Sequence, residues 1–212
     1  MIRTGKRAEV LRELLQSAGF EASSLLPARP TGAEHSAELL KLYRRLGGLQ
    51  RVPILRPGAW DLVFDGPMVI ELDEELHFNR YRALTPTASW ARDLPWAADY
   101  QRLCAAREPE CLSAGSWGKR WTNPSAERMF SGGPTGDLSS EGAPRWKQRA
   151  LYDAIKDMMP TNDRKVSIAR LSIYDDIDGV ILGDAIQRNA TVSPQSIQAL
   201  VERRTAWGRP GR

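Results

Sequence analysis

Residues 60–73 read Trp60-Asp61-Leu62-Val63-Phe64-Asp65-Gly66-Pro67-Met68-Val69-Ile70-Glu71-Leu72-Asp73. Two runs rich in β-forming residues flank an Asp-Gly turn, a strong short-range signal for a hairpin. Parity decides the loop length. A two-residue loop would pair Asp61 with Ile70 and Val63 with Met68, mixing polar and apolar side chains on one face. A three-residue loop, 65–67, pairs Phe64 with Met68, Leu62 with Ile70 and Asp61 with Glu71. Leu62, Phe64, Met68, Ile70 and Leu72 then share an apolar face, and Asp61, Glu71 and Asp73 share the other. The second register is the expected one. It sets two carboxylates opposite each other with Cβ atoms about 5 Å apart. Facing like charges destabilise a hairpin, and a divalent cation between them is one way to offset the repulsion.

Outward from the hairpin, the chain reads as α/β. Val10, Leu11, Leu14 and Leu15 form one helical stripe over 6–18, stopped by Gly19. Thr31 to Glu34 reads as a capping box for a second helix carrying Leu39, Leu42, Tyr43 and Leu46, closed by Gly47-Gly48. A strand is expected near Val52–Leu55. Residues 83–143 form an insertion rich in Pro, Gly, Ser and Trp, with short helices near 96–107 and 124–130 and a loop from Ser131 to Gly142. Pro144 opens a helix over 144–158. Lys165 to Tyr174 reads as a strand, Asp175 to Gly179 as a turn, and 180–188 and 193–204 as helices, with a frayed tail after Trp207. The expected division is an N-terminal helical extension over 1–30 and a single domain over 31–212.

Composition narrows the function. The chain has 212 residues, 42% of them apolar and 26% charged, which excludes wholesale disorder. No apolar run approaches the roughly 18 residues of a membrane helix, and no signal peptide is visible, so a cytoplasmic protein is expected. Two Cys, Cys104 and Cys111, with only His35 and His77 to complete a site, argue against structural zinc. Ser131 to Asp137 lacks the Lys-Ser/Thr of a phosphate loop. Six carboxylates and no cation lie between Asp61 and Leu76, which leaves the rest of the chain 30 basic and 20 acidic residues. A basic body around an acidic patch suits a polyanion handled through a divalent metal.

Trp60-Asp61-Leu62-Val63-Phe64, followed by Val69-Ile70-Glu71-Leu72-Asp73-Glu74-Glu75-Leu76-His77 and Arg80, resembles the PD-(D/E)XK nuclease superfamily. It is similar to the branch of very-short-patch repair endonucleases and related small endonuclease-like proteins. The likeness covers residues 34–82 and, more faintly, 144–174. It implies a restriction-endonuclease-like core of order αβββαβ, and a Mg²⁺- or Mn²⁺-dependent DNA endonuclease of repair or of defence against foreign DNA. By this resemblance Asp61 and Glu71 are the metal ligands, and Glu38 stands where many members place another carboxylate. Asp73 takes the position of the superfamily's Lys, which departs from the pattern. The resemblance also leaves His77 as an acid or base, a role its near-neutral titration suits. Lys147, on the later helix, would return a cation to the site.

Arg145, Lys147 and Arg149 on that helix, and Lys119 and Arg120 between Trp117 and Trp121, are the candidate nucleic-acid contacts. DNA is the expected partner, and a homodimer or a protein partner stays open. The alternative from another class is a catalytically inactive nuclease fold that binds nucleic acid or a protein.

Overall fold

The computed structural model describes residues 5–24, 36–66, 68–158 and 166–207. It is a mixed α/β protein whose contacts divide the chain into two units. The first joins Met1–Arg29, Ala59–Glu74 and Asp163–Arg212, and the second joins Pro30–Gly58 with Glu75–Asn162.

The first unit contains the sheet. Helix α1 (Arg7–Ser17) is followed by strands β1 (Leu62–Phe64) and β2 (Met68–Asp73). They pair antiparallel with Leu62 opposite Ile70 and Phe64 opposite Met68, the register that parity requires. Gly66 takes the positive φ of +83° that the turn needs. Pro67 lies outside the described residues. Strand β3 (Ser167–Ser172) runs parallel to β2, with Glu71 opposite Arg170 and Asp73 opposite Ser172.

One face of this sheet carries the core. Leu62, Phe64, Met68, Ile70 and Leu72 cluster with Ala169 and Leu171 of β3 and with Leu11 and Leu15 of α1. The stripe predicted on the first helix is therefore what seats it against the sheet. The other face carries Val69, Glu71 and Asp73 beside Ile168, Arg170 and Ser172, and these are buried too. The chain finishes in this unit with a hairpin, a short helix, a longer helix and a last strand. The hairpin pairs β4 (Asp176–Ile177) with β5 (Val180–Ile181) where a plain turn was expected. Asp178 and Gly179 both have positive φ, as a tight two-residue hairpin turn requires. The helices are Leu182–Ile186 and Pro194–Arg203, the latter capped by Ser193 and contributing Ile197, Leu200 and Val201 to the same core. The last strand, β6 (Thr205–Ala206), pairs antiparallel with β3 and completes the order β1-β2-β3-β6.

The second unit is helical among the described residues. Helix α2 (Ser36–Arg45) ends at Gly47, whose φ is +82°. The capping box at Thr31 lies outside the described residues. The strand expected at Val52–Leu55 does not form. Val52 and Ile54 are 79% and 69% exposed, so this is a surface segment rather than half of a ladder. The insertion folds into α3 (Ala97–Ala106), α4 (Glu108–Gly115), α5 (Gly118–Trp121) and α6 (Pro124–Glu127), of which 108–115 and 118–121 were not expected.

Helix α7 (Pro144–Asp157) organises this unit. Leu151, Ala154 and Ile155 pack on Leu39, Tyr43 and Leu46 of α2 together with Met129 and Phe130. At its other end Trp146 meets Trp121 edge to face, with ring centroids 5.2 Å apart. The Trp146 indole also donates to the Arg120 carbonyl at 3.1 Å. Gly115 sits against this pair, where a Cβ would approach Leu76 Cδ2 to 2.5 Å. The insertion is thus part of a core rather than an appendage.

Candidate functional site

In the first unit the site is built from the ends of the β1–β2 hairpin. Asp61 is exposed and Glu71 is buried. The structure brings them together as the register requires, through the backbone. The Asp61 amide donates to Glu71 Oε1 at 3.1 Å, and the Leu72 amide donates to Asp61 Oδ2 at 3.0 Å. Each carboxylate therefore accepts an N–H from the other strand. Amide donors thus offset part of the repulsion between the facing charges directly.

Asp73, on the same side of β2 as Glu71, is fully buried. Both its oxygens accept from Arg170 Nη1 at 2.9 Å. A cation thus reaches the acidic strand from β3. Further along the same unit, the Ser172 amide donates to Asp175 Oδ2 at 2.9 Å, and Arg204 bonds the other Asp175 oxygen. Burial pushes the Asp175 carboxyl up from its ordinary value, and the attraction of Arg204 only partly opposes it.

The other candidates belong to the second unit. His77 ends a short 3₁₀ turn, Glu75–His77, and its Nδ1 lies 2.9 Å from Asp153 Oδ2. Asp153 and Asp157 share a face of α7, being four residues apart. Arg82 lies between them, with Nη1 2.8 Å from Asp157 Oδ2 and Nε 3.9 Å from Asp153 Oδ2. Its guanidinium also stands over the Tyr100 ring at 5.5 Å. This buried network holds His77 by a carboxylate, an arrangement that fixes which ring nitrogen carries the proton. Glu38 is exposed on α2, where it lines a pocket of about 240 Å³ with Lys41, Arg45 and Trp90.

The expected nucleic-acid contacts separate by burial. Lys147 is buried. Its Nζ donates to the Ser131 carbonyl at 3.3 Å and lies 5.6 Å from the centre of the Tyr81 ring. Burial lowers its pKa, and Glu141, 4.0 Å away, opposes that shift. The Lys147 ammonium thus lies in the wall of a pocket that it shares with Arg45, Tyr81 and Glu141. Arg149 donates to the Leu76 carbonyl at 3.3 Å, and Arg145 to Gln148 Oε1 at 2.7 Å. Lys119 is exposed. Arg120 stacks over Trp117 at 4.6 Å, and Trp117 is 56% exposed while Trp121 is core.

Cys104 and Cys111 are free and buried, and burial pushes the Cys111 thiol up to about 12 despite a hydrogen bond from Asn79. Such a thiol stays protonated and unreactive near neutrality.

Sequence reasoning missed Arg170, Asp153, Arg82 and Asp157. The signal for Arg170 was available, since a charged residue inside an apolar strand needs a counter-charge. The acids of α7 carried a weaker one, because Asp153 and Asp157 fall among the helix's apolar positions.

No helix among the described residues is long and apolar enough to cross a membrane. No curated protein and no solved structure matches the chain. Residues 41–188, well over half of the chain and inclusive of Asp61, Glu71, Asp73, His77 and Arg170, match a family of unknown function (DUF7255), and the chain belongs to that family.

Proposed function

We propose that the chain is a Mg²⁺- or Mn²⁺-dependent endonuclease on a restriction-endonuclease-like core, acting on DNA in the cytoplasm. The observation that carries this reading is the reciprocal hold of Asp61 and Glu71. It fixes two hard oxygen donors at one end of an antiparallel pair, one buried and one exposed. Asp61 is exposed, and its Oδ1 accepts no hydrogen bond from a described residue. Two carboxylates suit Mg²⁺, which keeps several waters and takes few protein ligands. When bound, the ion would lower the pKa of a water and offset charge on the scissile phosphate.

The protein's own groups have separate tasks in this reading. Asp61 and Glu71 hold the ion. Arg170, by neutralising Asp73, keeps Asp61, Glu71 and Asp73 from adding three like charges on one face. His77, in the second unit, has its Nδ1 held by Asp153 and is a group of that unit able to take or give a proton. The test is plasmid cleavage with Mg²⁺, with Mn²⁺ and with EDTA. Cleavage is expected with either ion and not with EDTA, and is lost in Asp61→Asn. Absence of cleavage with both ions would sink the reading.

One observation favours a second reading, a nuclease fold that binds nucleic acid without cutting it. Amides already satisfy an oxygen of both Asp61 and Glu71, and Arg170 already neutralises Asp73. The acids can then serve the sheet alone. DNA binding that is indifferent to Mg²⁺, without cleavage, is the outcome that selects it.

A further inference from the structure

Within the second unit, a groove of about 640 Å³ is lined by Arg56, Arg128 and Arg145, with Ser125, Asn123 and Tyr152 between them. No carboxylate lines it. Several other arginines have an acid beside them: Arg80 with Glu108, Arg102 with Asp99, Arg107 with Glu110 and Arg188 with Glu13. Arg56 and Arg128 form no ion pair with any described residue.

Arg145 is held by a neutral partner rather than by an acid. It donates to Oε1 of Gln148, a buried side chain whose Nε2 in turn donates to Ser125 Oγ at 3.1 Å. A neutral amide fixes the guanidinium in direction and leaves its charge uncompensated. Three such cations in one concavity repel one another, and an anion relieves that repulsion while accepting their paired N–H donors.

We propose that this groove binds the phosphodiester backbone of a nucleic acid. The proposal rests on the reading of the chain as one that acts on nucleic acid, and it names the surface that holds the strand. Three separate unit charges match a repeating anion with one charge per phosphate better than a single small anion. The exposed Ile54 and the half-buried Tyr152 on the same wall offer apolar contact to sugars and bases.

The experiment measures fluorescence anisotropy of a labelled single-stranded DNA in EDTA, where no cleavage occurs, as a function of salt. The proteins are the full chain, the triple variant Arg56→Gln/Arg128→Gln/Arg145→Gln, and Arg92→Gln, an exposed arginine of the same unit. The triple variant should bind more weakly, with a log K against log salt slope shallower by about 2, since each single-strand phosphate contact contributes roughly 0.7. Arg92→Gln should match the unaltered chain, and circular dichroism should show all three folded. An unchanged slope in the triple variant would overturn the groove, as would an equal effect of Arg92→Gln. So would binding of inorganic polyphosphate through these arginines without binding of DNA. Binding that depends on the groove, with no cleavage under Mg²⁺ or Mn²⁺, would leave the groove standing and remove the endonuclease reading alone.

Discussion

Asp61 and Glu71 exchange their hydrogen bonds through main-chain amides: the Asp61 N–H reaches Glu71 Oε1, and Asp61 Oδ2 takes the N–H of Leu72, the residue after Glu71. The pair extends the hairpin by side chains where the β1–β2 ladder stops. Asp61→Ala leaves the buried Leu72 amide without its acceptor and should cost about 1–2 kcal/mol. Asp61→Asn retains an acceptor oxygen and should cost less. Urea unfolding of both variants in EDTA checks this. Equal stability in the two would mean that the side-chain acceptor contributes nothing.

Arg170 and Asp73 form a buried pair across β2 and β3. Removing the cation strands a carboxylate in the interior, so Arg170→Leu should destabilise by about 3–5 kcal/mol. Adding Asp73→Asn should recover part of the loss, because an amide costs less to bury than an unpaired charge. A double-mutant cycle on urea midpoints reads the coupling, and additive losses would show the two side chains to be independent.

Glu108 ties the segment at Arg80 to α4. Burial alone would raise its carboxyl, but hydrogen bonds from the Arg80 side chain and amide outweigh that and hold it below its ordinary value of 4.5. A carboxyl lowered on folding contributes stability above its unfolded pKa and loses it as pH falls through the folded one. Glu108→Gln should therefore shrink the acid-induced drop in melting temperature below about pH 4.5. The gain lost at neutral pH should be at most about 1 kcal/mol, since the Arg80 partner is half exposed and screened. An unchanged acid limb would count against this bond.

Lys147 has the opposite sense. Burial depresses its pKa from 10.5, so below its folded pKa the chain must carry a buried ammonium that the unfolded chain would hold in water. The unfolded state then binds more protons in the window between the depressed value and 10.5, and stability rises with pH across that window. Lys147→Met keeps the aliphatic stem and removes the titration, so the rise should flatten. Thermal melts between pH 8 and 10.5 decide it, and an undiminished rise in the variant would assign the effect to another group.

The hairpin was legible because one arithmetic fact, the parity of five apolar residues, fixes loop length, register and the face of Asp61 and Glu71 together. The stripe of α1 was legible from its spacing, and α7 from the Pro that opens it. Val52–Leu55 misled because the αβββαβ order of the resemblance asked for a strand there, and among the described residues none pairs with it. β3 is buried on both faces, which erases the alternation that would have marked Arg170 as belonging with the acids. The network of Arg82, Asp153 and Asp157 joins residues about seventy positions apart, and no local spacing encodes such a closure.

The sheet has its two six-residue strands, β2 and β3, in the middle and strands of three and two residues at its margins. The β1 margin is itself covered, since Ser23 donates to the Val63 carbonyl and Asp65 to that of Glu21. At the other margin, β6 shields β3 through the two positions Ile168 and Ala169. A long apolar strand with unpaired amides is a template for a foreign chain, and short or covered margins deny it. The protection is unequal. Truncation before Thr205 would uncover the amides of β3 that face β6, beside Ile168 and Ala169, so the last few described residues guard the solubility of the whole sheet against self-assembly.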